Sequence, residues 1–337
     1  MRTLDAARRL IRALALAAAG VSLAAPGAAA EDGAGCGRVS LGSLDWASAE
    51  ITTAIASRVL SAGYGCDVRV VATTTIAALK GFERGDGPDV VIEFWLNAAG
   101  PRVAALEAEG RLERLGSSLA PGGVEGWWIT AETAVDRPEL TRIDAILADP
   151  DSVGAVFHSC PVDWGCHAIN ANLARAFALS DAGIAVIAHP DGSALDASLH
   201  AAVAAGAPWF GYAYGPSAAF ARHRLIRVDL GPYDPAGHRA NQVPDAPAPA
   251  RSDFPSAPVA TLAMRGFAAR APTAAAFLSA LRLEVGEMSA LLDQQAASAA
   301  SAQEIADAFL AQHPETWHPW VAEEARSRLL AALKQRP

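Results

Sequence analysis

From residue 39 onward, short apolar β-branched runs alternate with longer amphipathic ones, and this restricts the fold more than any other feature of the chain. Val39-Ser-Leu-Gly-Ser-Leu44 predicts a strand, Asp45-Trp-Ala-Ser48 a capping turn, and Ala49 to Ala62 a helix ended by Gly63-Tyr-Gly65. Val68 to Val71, Thr75 to Arg84, Asp89 to Phe94 and a helix through Val103 to Glu109 continue the same order. Strands joined through helices run parallel, so the expectation is an α/β fold of mainly parallel sheets flanked by helices. Ligands gather at the carboxyl ends of such strands. That rule singles out Asp45 and Trp46 after the first strand, and Trp95 and Asn97 after the third.

Gly122-Gly-Val-Glu-Gly-Trp-Trp-Ile129 reads as a glycine-rich strand crossing from one lobe to another. Beyond it a helix over 143–147, strands over 154–158 and 184–187, a helix over 196–205 and the aromatic strand Trp209-Phe-Gly-Tyr-Ala-Tyr-Gly-Pro216 form a second unit. The Pro- and Ala-rich span from Gly231 to Pro258 predicts a long surface loop; a strand over 259–264 and helices over 273–283, 284–295, 302–312 and 321–334 follow. After the first 30 residues, 307 of the 337 remain, more than one comfortable core. The expected division is 31–125 as a first lobe, 126–230 as a second, and 231–337 as the return to the first, with a hinge near Gly126 and 225–258.

Between the strand over 154–158 and a run of helical periodicity stands Cys160-Pro-Val-Asp-Trp-Gly-Cys166. Such a loop combines a cross-link, an aromatic face at Trp164, and the N–H groups of Gly165, Cys166 and His167 near a helix start, where anions are favoured. A small zwitterion would use both halves. A structural staple with a tryptophan packed on it has the same spacing, and the loop by itself does not separate the two.

Arg2, Arg8, Arg9 and Arg12, the apolar run Ala13 to Ala25 and the small residues Ala28-Ala29-Ala30 have the layout of an export signal cleaved near Ala30. Cys36 lacks the aliphatic residue that a lipid-attachment box needs before it. An exported chain suits disulfides, and all four cysteines lie beyond the signal. If Cys160 pairs with Cys166, Cys36 and Cys66 remain for each other, one of three pairings possible on paper. Without the signal, 27 basic residues become 23 and 36 acidic ones become 35, a net charge of −12. That balance argues against nucleic acid and against anionic membrane as partners.

The Cys loop followed by Ala168-Ile-Asn170 resembles the glycine betaine/proline betaine-binding subunits of osmoprotective ABC importers, whose loop carries a Gly-Trp-Gly-Cys segment before a helix. Gly122 to Ile129, Ala207 to Pro216, Phe94-Trp-Leu-Asn97 and the tail from Trp317 to Lys334 are similar to further segments of that family, in order. The resemblance implies a two-lobed periplasmic binding protein of type II-like fold that closes on a quaternary ammonium ligand and hands it to an inner-membrane ABC permease. It puts Trp95 and Trp164 at cage positions and Tyr214 where relatives commonly have a third Trp. Where some relatives have a carboxylate-binding His after the first cage Trp, Asn97, Ala98 and Ala99 stand here.

A trimethylammonium group donates no hydrogen bond, and aromatic faces attract its diffuse charge by roughly 0.5 to 2 kcal/mol each. Trp95, Trp164 and Tyr214, with Trp46 as a fourth wall, would form such a cage, and the amides of Gly165 and Cys166 would take a carboxylate. Glycine betaine or a related quaternary ammonium compound is the expected ligand, with choline, carnitine and trimethylamine oxide as alternatives; Asp45 or Glu93 facing the site would favour a hydroxyl or a bare cation over a carboxylate. No Gly-x-Ser-x-Gly, phosphate loop or His-Glu-x-x-His occurs, so neither an enzyme nor a metal or cofactor is expected. The same fold can serve a chemoreceptor or a histidine kinase, and transport and sensing stay open here.

Overall fold

The computed structural model describes residues 36–335; the expected export signal and its cleavage point lie outside the described residues. The strands are β1 (Arg38–Leu44), β2 (Asp67–Thr73), β3 (Val90–Trp95), β4 (Leu112–Thr130), β5 (Val156–Ser159), β6 (Ala185–Ala188), β7 (Phe210–Gly215), β8 (Leu225–Arg227), β9 (Ala257–Met264) and β10 (Leu283–Glu284). Their spatial order is β2-β1-β3-β9-β4-β7-β5-β6, with β8 and β10 also paired to β4. β2, β1 and β3 run parallel at one end, and β7, β5 and β6 run parallel at the other. The centre is antiparallel, because β4 carries the chain across and β9 brings it back. The expected α/β architecture of parallel strands and covering helices is present.

β4 begins ten residues ahead of the expected crossing strand. Its register against β9 shifts between Arg114 and Gly116, between Ser117 and Leu119, and again before Gly123. Each shift breaks the two-residue alternation by which a strand is recognised in a sequence. From Val124 to Ile129 the partner is β7, in regular register.

Helix ends follow local chemistry. The helix Thr75–Arg84 starts where the Thr74 hydroxyl accepts from the Ala77 amide at 3.2 Å, and stops at Gly85 with φ of 76°. The helix Leu96–Ala108 begins seven residues before the expected one; Pro101 lies inside it and Ala99 leaves helical geometry, so the sequence reads as broken there. The expected surface loop from Gly231 to Pro258 is corrected. It contains a helix, Pro235–Asn241, begun by Asp234, whose Oδ1 accepts from the Ala236 amide at 3.0 Å, with Pro235 in the first turn. Gly237, His238, Asn241, Ser252 and Phe254 from this span are buried.

Trp127 packs in the second half-sheet against Phe157, Phe177 and Phe210, with ring centroids 4.3, 5.8 and 5.7 Å away. Trp209 and Trp317 are equally buried. Among the described residues no helix is long and apolar enough to cross a membrane.

Disulfides join Cys36 to Cys66 and Cys160 to Cys166. The first ties the entries of the neighbouring strands β1 and β2 across a sequence separation of 30. A loop of that length restricts the unfolded chain by about 3 to 4 kcal/mol in the loop-entropy account. Replacing both Cys36 and Cys66 by Ser is therefore expected to lower unfolding free energy by about 2 to 4 kcal/mol in a urea titration. Mass spectrometry of the unreduced protein is expected to find no free thiol, and free thiol at a cysteine would contradict the bridge it belongs to.

Candidate functional site

Where β4 passes from one half-sheet to the other, five aromatic residues converge on a small cavity. Trp46 follows β1, Trp95 ends β3, Trp164 comes from the Cys loop, and Tyr212 and Tyr214 share one face of β7. Thr75, Ala98, Gly165, Cys166 and Glu125 complete the wall. Trp46 meets Trp164 at 5.2 Å and 69°, Trp95 meets Tyr214 at 5.5 Å and 84°, and Trp164 meets Tyr214 at 5.6 Å and 77°. Such edge-on contacts keep the rings from stacking flat on one another and build a box.

Carboxylates hold the indoles by their edges. Glu93 Oε1 accepts from Trp46 Nε1 at 2.7 Å, from Trp95 Nε1 at 3.4 Å and from Ser48 Oγ at 2.5 Å, while Oε2 accepts from Thr52 Oγ1 at 3.3 Å. Asp45 Oδ1 accepts from Trp164 Nε1 at 2.8 Å. With the N–H edges engaged in this way, the π faces remain for the cavity. Glu93 reaches its position from a register shift in β3, with φ of 61°, a left-handed conformation costing a non-glycine residue about 1 to 3 kcal/mol. Burial raises its pKa and the four donors oppose that rise.

Three glycines make room for the box. A Cβ on Gly123 would lie 2.2 Å from the Trp95 ring, one on Gly192 would lie 2.7 Å from Trp164, and one on Gly165 would lie 2.7 Å from the Ala98 Cβ. The sequence reading used none of them for this purpose, since close approach of a distant ring leaves no local signal.

Glu125 was also overlooked. It is 2 % exposed, Oε1 accepts from the Tyr212 hydroxyl, and Oε2 has no hydrogen-bond partner. Burial pushes its carboxyl up to about 7, against the pull of the Tyr212 hydroxyl. Its signal in the sequence was that of a lone charge inside the buried glycine- and tryptophan-rich strand. Asn97, by contrast, does not line the cavity. Its carbonyl accepts from His238 Nε2 and Gln242 Nε2, so it ties the helix Leu96–Ala108 to the helix Pro235–Asn241.

Beyond Trp46 and Tyr214 lies a wider opening, lined among others by Asp45, Glu50, Asp196, His200, Arg222 and His223. Burial lifts Asp196 to about 6. Burial, and then the charges of Asp196, Glu93, Asp45 and Glu50, raise the Tyr214 phenol well above its ordinary value. The cavity wall carries no lysine, arginine or histidine. An apolar, electron-rich box in a negative field attracts a diffuse cation. Among the described residues no group of three or more His, Cys, Asp or Glu is placed to hold a metal ion.

The family model for the substrate binding domain of the ABC-type glycine betaine transport system, OpuAC, matches residues 37–312. Among solved structures, an ABC-transporter choline binding protein in complex with choline superimposes with a TM-score of 0.70 at 20% identity, over 88% of this chain and 98% of that one. Lactococcal OpuAC in its closed-liganded conformation with glycine betaine gives 0.68 at 16% identity, over 85% and 99%. The glycine/betaine/L-proline-binding protein ProX from Borrelia burgdorferi gives 0.70 at 16% identity, over 87% and 99%. At these identities the likeness is one of fold. No curated protein sequence matches the chain.

The glycine contacts are open to test. Gly123→Ala is expected to force the Trp95 ring out of place, changing the near-ultraviolet circular dichroism while the far-ultraviolet spectrum stays native, and to cost about 1 to 3 kcal/mol in thermal unfolding. An unaltered near-ultraviolet spectrum would show that the ring does not rest on this backbone.

Proposed function

The chain belongs to the OpuAC family, the substrate-binding domains of ABC-type glycine betaine transport systems, and on that premise we propose that Trp46, Trp95, Trp164 and Tyr214 are its cage for the ligand's ammonium group. It is the extracytoplasmic substrate-binding component of an ABC transporter for quaternary ammonium compounds, and not an enzyme. The observation that carries the assignment of the cage is the pinning of three indole N–H groups to Glu93 and Asp45, which leaves ring faces and no cationic side chain around the cavity.

Four faces at roughly 0.5 to 2 kcal/mol each supply several kcal/mol. Micromolar binding needs about 8 kcal/mol. The remainder comes from apolar burial of the methyl groups, and, for a zwitterion, from the amides of Gly165 and Cys166. Those amides open the eleven-residue helix Cys166–Ala176, whose dipole favours an anion. After an export signal over 1–30 is cleaved near Ala30, the protein works in the periplasm and delivers its ligand to an inner-membrane permease.

Capture requires access, and the sheet halves divide at the cavity. Lobes of 31–125 and 126–230, the chain returning to the first over 231–337, would open about β4 near Gly126 and the 225–258 segment. Small-angle scattering is expected to show a smaller radius of gyration at saturating ligand; an unchanged radius contradicts closure.

Calorimetry with glycine betaine, proline betaine, carnitine, choline and trimethylamine oxide tests the ligand class. Trp164→Ala is expected to weaken each ligand that binds by about 1 to 3 kcal/mol, through loss of one cation–π face and its packing. Normal affinity in that variant places the ammonium group elsewhere.

A further inference from the structure

We propose that Glu125 decides which quaternary ammonium compounds the cavity accepts: ionised, it favours a cation without an anionic end, such as choline; protonated, it admits a zwitterion, such as glycine betaine. The proposal rests on the cage reading above and adds to it the group that discriminates among the ligands.

Glu125 lies on β4 opposite Tyr214 of β7, inside the cavity wall, with one oxygen taken by Tyr212 and the other left without a partner. A buried acceptor in that state costs about 1 to 3 kcal/mol; a ligand hydroxyl that donates to it recovers the loss, and a ligand cation nearby is attracted to its charge when it is ionised. A ligand carboxylate in the same cavity faces a like charge instead, in surroundings that screen little. The cavity thus has an attractive element for one end of a zwitterion and a repulsive one for the other.

No neighbour neutralises Glu125. From β7, Tyr212 and Tyr214 face it as neutral phenols, both raised well above their ordinary value, chiefly by burial. β9 contributes Ala257 and Val259 to its pairing with β4 in this stretch, neither of which titrates. From β8, Arg227 Nη2 is engaged by Asp253 at 2.9 Å and by the Phe254 carbonyl at 3.1 Å, while its Nε, without a partner, lies against Gly126 on the face of β4 opposite to the Glu125 side chain. Glu93 on β3 is a further acid, filled by its own four donors. His238, behind Phe254, donates to the Asn97 carbonyl. Burial is left as the main influence, and it places the Glu125 titration at about 7, where a small change in pH alters its charge.

The direction follows from linkage. A choline-type cation prefers the ionised carboxylate, so below the titration its binding expels a proton, and affinity rises with pH until Glu125 is fully ionised. A betaine-type zwitterion prefers the neutral carboxyl, so above the titration its binding takes up a proton, and affinity falls as pH rises. Each dependence approaches roughly tenfold per pH unit in its own range.

Titration calorimetry of the intact exported protein with choline and with glycine betaine at pH 5.5, 7.0 and 8.5, in two buffers of different ionisation enthalpy, reads both affinity and protons exchanged. The ratio of choline to glycine betaine affinity is expected to rise at least tenfold from pH 5.5 to 8.5, with proton release for choline and uptake for glycine betaine near pH 7. Glu125→Gln, neutral at every pH, is expected to abolish the exchange, weaken choline about tenfold or more at pH 8.5, and hold glycine betaine at its low-pH affinity. Binding of both ligands by the wild-type protein with no proton exchange and a constant ratio overturns the role of Glu125 and leaves the cage reading standing. Binding of neither at any pH overturns both. Because the wild-type measurement stands alone, a variant that failed to fold would not rescue the proposal.

Discussion

One strand, β4, is hydrogen-bonded along its first part to β9 and along its second to β7, and the placement of everything else at the site depends on it. A strand shared in this way fixes the relative register of the two half-sheets. The carboxyl ends of β1 and β3 thereby point toward the Cys loop and toward the aromatic face of β7. The change of partner falls between Gly123 and Val124, with Trp95 packed on the first side and Glu125 on the second. Pairing of backbone amides, more than any side-chain contact, thus determines where the cavity forms.

Acidic residues act in two distinct ways around that cavity. Asp45 and Glu93 are spent on indole N–H groups and orient rings without lining the cavity. Glu125 is in the wall with an oxygen to spare. A buried carboxylate is costly to ionise, and hydrogen-bond donors reduce that cost; Glu93 has four of them and Glu125 has one. Two glutamates of nearly equal burial therefore differ in what they do, for reasons that lie in their neighbours.

Much of this was legible in the chain. The alternation from Val39 to Glu109 carried the parallel sheet, because burial on both faces and crossover helices impose that pattern. Trp46 and Trp95 were named from strand ends, Trp164, Gly165 and Cys166 from the Cys loop, and Tyr214 from the family resemblance, and all six line one cavity. The antiparallel return of β9 was not legible, since strand direction is set by long-range pairing that a local pattern does not encode. Nor was the separation of Asn97 from the cavity: one turn of helix moves a side chain to another face, and Pro101 hid that helix. Gly123, Gly192 and Glu125 act through residues distant in sequence, which no spacing rule reaches.

The division of labour among the acids bears on how such a protein diverges. Ring orientation and ligand discrimination reside in different side chains on different strands, so one nucleotide substitution in the codon for Glu125 alters the cavity's charge without touching the hydrogen bonds that aim the tryptophans. A lineage can then move from one methylated amine to another in a single step, keeping a folded and cage-competent intermediate throughout. A change of charge at one strand can then be made while the aromatic framework is left as it stands.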